Sequence, residues 1–389
     1  MKKFSGFDIY NVDSLFSEDE KLIRDSVRRW VDEEVLPVIE NYYQKAEFPM
    51  HLIPQMGEMG LLGANLPQQY GCAGINNVAY GLIMQELERG DTGLRSFASV
   101  QGGLVMYPIY AYGSEEQKKY WLPKLANGEM VGCFGLTEPD FGSDPGGMKT
   151  TAVEDGDSYI LNGSKMWITN GSIADVAVVW AKLNGKVRGF LVEKDRDGFL
   201  APEIHNKHSM RASVTSELVF QDCCVPRENL LPETSGLKNP LSCLTQARYG
   251  IAWGAIGAAM ACYEEALNYA LSRVQFDKPI ASFQLVQQKF VKMATEITKA
   301  QLLVHQLGRL KDNGQINYVQ VSLAKRNNVH QALEIARLAR DILAANGIVA
   351  EYQTMRHMCN LESVKTYEGT HDIHTLIIGE HLTGIAAYR

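Results

Sequence analysis

A chain of 389 residues, 46% apolar and 21% charged, is too long for one small module and has the composition of an ordinary folded globular protein, which excludes wholesale disorder. Lys and Arg number 38 against 45 Asp and Glu, and the formal net charge of −7 lacks the basic excess that nucleic acid requires of a main partner. The seven cysteines are odd in number and scattered, with neither zinc spacing nor a disulfide framework, so they read as reduced thiols of a cytoplasmic protein.

The first twenty residues hold two lysines, no apolar h-region and several early acids, which argues against an export or transit signal. From Ser17, acids in the first turn and the spacing of Leu22, Ile23, Val27, Trp30, Val31 and Val35 predict an amphipathic helix. Further helices are expected over 51–60, 76–89, 96–111 and 115–126. Beyond residue 130 short β-prone runs appear at 159–161, 166–169, 177–180 and 189–192. They are punctuated by Asn162-Gly163, Asn170-Gly171, Asn184-Gly185 and Asp197-Gly198, pairs that tolerate the positive φ of tight turns. After Pro232 the pattern is helical again, over 241–275, 283–312, 316–345, 348–361 and 371–386, with breaks at Asn313-Gly314 and Asn346-Gly347. The uncharged stretch from Gly250 to Tyr263 is too short to cross a bilayer, and its Gly and Ala suit close helix packing. The expected organisation is mainly α with one β domain: an N-terminal helical domain (1–130), a middle antiparallel β-barrel (131–237) and a C-terminal four-helix bundle (238–389).

Three segments carry chemistry. The run FGLTEPDFGSD, Phe134 to Asp144, offers exposed backbone donors and hydroxyls where helices give way to strands, although an interdomain turn would read the same way. MWITN, Met166 to Asn170, sets a tryptophan and a threonine on a strand that by itself resembles any β core. TYEGTHDIH, Thr366 to His374, puts a carboxylate beside a glycine, the neighbour that permits closest ligand approach. Its two histidines, His371 and His374, lack a third ligand nearby, so no metal site is expected. Arg95 interrupts a largely apolar helical stretch, and a buried cation needs an anion. That anion is either an external ligand or Glu88 or Asp91 within the chain.

Taken in order, these segments resemble the acyl-CoA dehydrogenase family of flavoenzymes from end to end. LRSFASVQ (Leu94 to Gln101), ARYGIAW (Ala247 to Trp253), LGRLK (Leu307 to Lys311) and YEGTHDIH (Tyr367 to His374) are most similar to glutaryl-CoA dehydrogenases. The resemblance implies non-covalent FAD bound between domains and across a subunit interface of a homotetramer, with electron-transfer flavoprotein as acceptor and a cytoplasmic or mitochondrial-matrix setting. It sets Phe134, Leu136, Thr137, Ser143, Trp167, Thr169, Thr370 and Asp372 around the cofactor, with Arg273 and Gln284 reaching it from a neighbouring subunit. It assigns Glu368 as base and sets Arg95, Ser96, Ser143, Leu244, Arg248 and Gly369 around the acyl-CoA. Tyr367 and Glu88 match members that decarboxylate glutaryl-CoA to crotonyl-CoA and CO₂. One departure stands out: Ala344-Ala345-Asn346-Gly347 replaces the usual Gly-Gly-Asn-Gly. The residues leave open a short-chain acyl-CoA dehydrogenase, a non-decarboxylating glutaryl-CoA dehydrogenase, an acyl-CoA oxidase, and an inactive scaffold or binding protein of this fold.

Overall fold

The computed structural model describes residues 8–388, so the basic N-terminus, Met1 to Phe7, lies outside them. Ser17 opens α1 (Glu18–Trp30) with a reciprocal cap, its hydroxyl accepting from the Glu20 amide while the Glu20 carboxylate takes the Ser17 amide. Val27, Trp30, Val31 and Val35 are buried as their spacing predicts, whereas Leu22 sits off the stripe and is exposed. A π-turn over Val31–Val35 leads into α2 (Leu36–Lys45), whose second residue is Pro37. Proline cannot donate the expected bond, and the widened turn absorbs the mismatch. The short α3 (Leu52–Glu58) follows, then α4 (Asn77–Gly90), α5 (Thr92–Ser99), a π-helical run at Val100–Met106, α6 (Tyr107–Tyr112) and α7 (Glu115–Ala126). The helix expected over 96–111 is thus three joined pieces.

The β part comprises β1 (Gly132–Gly135), β2 (Thr151–Asp155), β3 (Ser158–Thr169), β4 (Val176–Leu183), β5 (Lys186–Glu193), β6 (Phe199–Leu200) and β7 (Thr215–Pro226). They form one open sheet in the order β1-β4-β2-β3-β7-β6, with β5 on the other edge of β4. Most neighbours are antiparallel, but β1 and β2 both pair with β4 in parallel, so the sheet is a mixed half-barrel where a purely antiparallel barrel was expected. Asn184-Gly185 makes the predicted two-residue turn, both residues at positive φ. Asn162-Gly163 does not. It lies at a bulge inside β3, where the Asn162 amide exchanges hydrogen bonds with Asp222 on β7.

The C-terminal part is α8 (Lys238–Ser272), a hairpin of β8 (Val274–Gln275) and β9 (Lys278–Pro279), α9 (Gln284–Asp312), α10 (Tyr318–Leu343), α11 (Thr354–Thr366) and α12 (His371–Thr383). The helix expected at 348–361 starts six residues late. Glu265 on α8 accepts the amides of Gln353 and Thr354 at 2.9 and 2.8 Å and so caps α11 from a distant helix. No helix among the described residues is long and apolar enough to cross a membrane, and all seven cysteines are free.

Helices α4 and α8 form the centre. Every residue of α4 from Val78 to Gly90 is buried; one side packs against the face of α8 that carries Gly250, Gly254 and Gly257, and the others against α1, α5 and α9. Burial of this apolar surface supplies the main driving force for folding, while the small residues let the two backbones approach.

The departure at Ala344 has a backbone consequence. Ala344 ends α10 at φ 52°, ψ −128°, a region that only glycine occupies without strain. Ala344→Gly should stabilise the fold by about 1 kcal/mol, since relief of strain exceeds the added unfolded-state entropy. A lower midpoint in thermal or urea unfolding would contradict this.

Candidate active site

The junction of α4, α5, α8 and α11 holds an unusual density of buried charge. Asp91, between α4 and α5, caps α5 through the Gly93 amide at 2.6 Å, and its other oxygen accepts from Arg356 and Asn360 of α11, both at 3.1 Å. With Asp91 so engaged, Arg95 turns to Glu88: its Nε donates to Glu88 Oε2 at 2.6 Å, and neither side chain is exposed. Thr92 Oγ1 donates to the other Glu88 oxygen at 3.2 Å. Of the anions left open for Arg95, Glu88 is thus the internal one that meets it. Arg95 Nη2 donates to the Tyr367 hydroxyl, and Nη1 is buried with no partner. One charged donor remains to be filled.

Room for this pair comes from a residue that the sequence reading did not single out. A methyl group on Gly254 would lie 2.1 Å from Glu88 Oε2 and 3.1 Å from Arg95 Nε. Gly254 recurs four residues after Gly250 in ARYGIAW, and the same-face spacing was the available signal.

Glu368 sits in the turn between α11 and α12 with φ 51°, followed by Gly369 at φ 88°. A side chain on Gly369 would meet His374 Nε2 at 3.0 Å and Arg248 Nη2 at 3.1 Å. Arg248, on α8, donates to the Glu368 carbonyl at 2.7 Å. Glu368 Oε2 is buried without a hydrogen-bond partner. Burial pushes its pKa above the usual carboxylate range, against the pull of Lys325, Arg95 and Arg248. Burial likewise raises Glu88. Thr370 caps α12 through the Ile373 amide at 3.1 Å, with Asp372 in the first turn. His374 is buried, and its pKa falls to about 2 through burial and the nearby Lys325 and Arg248. No group of three or more His, Cys, Asp or Glu among the described residues is arranged to hold a metal ion.

Across the fold, Phe134 and Leu136 are buried, Thr137 is half-buried and Ser143 is exposed. Glu138 organises this loop, accepting the Lys149 and Thr150 amides at 2.6 and 3.0 Å and the Lys165 ammonium at 2.8 Å. The Thr137 carbonyl takes the Met166 amide at 2.8 Å, tying the loop to the β3 bulge. On that bulge Trp167 adopts φ 63° and is 62% exposed. It is not a core tryptophan. Ser96 lies beside Arg95 on α5, and Leu244 is half-buried on α8 near Arg248. Arg273 and Gln284 are exposed on either side of the β8–β9 hairpin.

The pattern matches three models in succession: the acyl-CoA dehydrogenase N-terminal domain over 17–129, its middle domain over 133–223 and its C-terminal domain over 234–383. The chain belongs to the acyl-CoA dehydrogenase family. A glutaryl-CoA dehydrogenase from Mycobacterium smegmatis superposes with a TM-score of 0.95 at 55% identity, covering 97% of each chain. A glutaryl-CoA dehydrogenase from the same organism, in complex with FADH2, gives 0.96 at 52% identity over 98% of each. The mitochondrial short-chain specific acyl-CoA dehydrogenase of Rattus norvegicus is 35% identical over 378 residues, 96% of this chain and 91% of the rat protein.

Within this family member, Gln101 is a further residue whose role the sequence did not disclose. Its amide donates to the carbonyls of Leu125 and Met130 at 3.0 and 2.8 Å and accepts the Gly132 amide at 2.9 Å, fixing the start of β1 to the helix that carries Arg95. Nothing local in LRSFASVQ separates such a glutamine from a surface one.

Gly254→Ala should lower stability by about 3 kcal/mol or more, because the added methyl displaces a buried ion pair. Thermal unfolding measures the loss, and a midpoint equal to that of the parent would contradict the geometry.

Proposed function

We propose that this acyl-CoA dehydrogenase uses FAD to oxidise glutaryl-CoA and then decarboxylates the product to crotonyl-CoA. The observation that carries the reading is the Arg95–Glu88–Tyr367 cluster beside Glu368, which leaves a single charged donor, Arg95 Nη1, without a partner. An acyl chain ending in methyl gives that donor nothing to bind, whereas a distal carboxylate does.

The residues present fit the cofactor. An exposed indole on a strained bulge offers a flat apolar wall, and the hydroxyls of Thr137 and Thr169 lie on the two segments that the Met166 to Thr137 hydrogen bond joins. Trp167, Thr169, Phe134, Leu136 and Thr137 would hold the ring, and Ser143, Thr370 and Asp372 would lie at its margins. When bound, FAD accepts the hydride from C3. The family resemblance supports completion by Arg273 and Gln284 of a neighbouring subunit, and so does the hairpin between them, whose tip residue Phe276 is 88% exposed. A homotetramer, electron-transfer flavoprotein as acceptor and a reducing intracellular setting belong to the same reading.

Glu368 removes the C2 proton. Its unpartnered oxygen is free to approach the substrate, and its raised pKa makes it a stronger base than a solvated carboxylate. Arg95 and Ser96 orient the distal carboxylate, and Leu244, Arg248 and Gly369 line the acyl-CoA path. After oxidation, cleavage of the C4–C5 bond releases CO₂ and leaves the electron pair in a dienolate conjugated with the thioester. Protonated Glu368 then delivers its proton to C4. Tyr367 and Glu88 hold Arg95 in the orientation that turns the carboxylate out of conjugation before it leaves.

Glu368→Gln should retain yellow, FAD-bound protein and lose nearly all flavin reduction by substrate; substantial residual reduction would remove Glu368 from the role. In the parent, reduction should rise with pH along a limb lying above the ordinary carboxylate range, since the base must be ionised and its pKa is raised. Replacing both Tyr367 and Glu88 with valine should preserve oxidation of glutaryl-CoA but accumulate glutaconyl-CoA without CO₂. Tyr367→Phe, a milder change, should move the product ratio the same way. Unchanged CO₂ release in both variants would overturn the decarboxylation step.

A further inference from the structure

Lys325 projects from α10 into the turn between α11 and α12 and is 1% exposed. Its ammonium donates to the carbonyl of Tyr367 and, at 2.7 Å, to that of Gly369, and it lies 3.4 Å from the carbonyl of Glu368. Three consecutive carbonyls converging on one cation require the backbone to curl, which it does through the left-handed Glu368 and Gly369. The cation is saturated by backbone, and Glu368 Oε2 accepts nothing from it.

We propose that Lys325 is a positioning residue for the base: it holds the Tyr367–Gly369 turn in its strained form and, while protonated, supplies a positive charge that favours the ionised form of Glu368 and leaves Oε2 free. This rests on the reading of Glu368 as the base. A carboxylate in this setting faces a conflict. Burial drives it toward the protonated form, which cannot abstract a proton, while a direct ion pair would occupy the oxygen that must reach C2 and weaken it as a base. An ammonium anchored to carbonyls nearby resolves this by favouring the charged form through space.

The surrounding groups agree with that division. Arg248 on α8 also spends its bond on the Glu368 carbonyl, and Arg95 on α5 is matched by Glu88 on α4. His374 on α12 is neutral, and Tyr367 is held protonated by burial. Among the charges that oppose the effect of burial on Glu368, Lys325 is the foremost. Burial in turn lowers the pKa of Lys325, against the pull of Glu368.

The test uses FAD-loaded full-length protein. Anaerobic single-turnover flavin reduction by glutaryl-CoA is followed across pH for Lys325→Gln, which keeps amide donors without charge, Lys325→Met, which keeps neither, and Lys325→Arg, which keeps charge. The ionisation of Glu368 is read separately from the infrared carboxylate band that Glu368→Gln abolishes. Lys325→Gln should slow reduction on the order of tenfold at neutral pH and move both the ascending limb and the infrared titration up by about one unit, with KM little changed. Lys325→Met should be slower still, and Lys325→Arg should restore the limb. If Lys325→Met fails to fold, the comparison of Gln with Arg carries the test. A Lys325→Gln protein with full FAD and the parental limb and band overturns the proposal, as does a Lys325→Arg limb no nearer the parent than that of Gln. Full reduction by Glu368→Gln would overturn the reading beneath it, whereas failure of Lys325 alone leaves Glu368→Gln inactive.

Discussion

The Arg95–Glu88 pair is the constraint around which the helical parts are arranged. Two charges removed from water cost several kcal/mol each unless geometry and further hydrogen bonds compensate. Here compensation draws on four elements: Glu88 from α4, Arg95 and Thr92 from α5, the opening at Gly254 on α8 and the Tyr367 hydroxyl after α11. The close approach of α4 to α8 and the polar wall of the site are therefore one fact. A bulkier α8 would push away the helix that carries the charge. Asp91 plays the complementary part, binding Arg356 and Asn360 so that it cannot compete for Arg95.

The same economy extends to the Glu368 turn. Its backbone is held by two cations, Lys325 from α10 and Arg248 from α8, that leave Oε2 of its carboxylate without a hydrogen bond. The strained φ values at Glu368 and Trp167 both lie at the site, where local conformational cost is tolerated because packing elsewhere is strong. Ala344 is different, since its strain has no such companion in the described geometry.

Periodicity and turn chemistry made most of the helices legible, because α1, α4, α7, α9 and α10 end in caps or breaks written in their own sequence. What escaped was non-local. The start of α11 depends on Glu265, nearly ninety residues away, and the parallel pairing of β1 and β2 with β4 has no local signature. The same division holds at the site. Glu368, Arg95 and Trp167 were named from motifs, and the choice of Glu88 over Asp91 as partner could not be made until α11 was seen to claim Asp91. Gly254 carried a faint signal in its spacing from Gly250, Gln101 none. Lys325 looks in sequence like any lysine on an amphipathic helix.

Gln101 has a metric implication. It stands six residues beyond Arg95 on one continuous helical run, so about 9 Å of helix rise separates the cation from the amide that anchors β1. The span between the polar end of the site and the β wall is thus gauged by backbone pitch. A loop-built site can drift by fractions of an ångström to admit a longer chain; here any adjustment must break all three bonds of one side chain together or move a whole helical turn, so the gauge changes in steps.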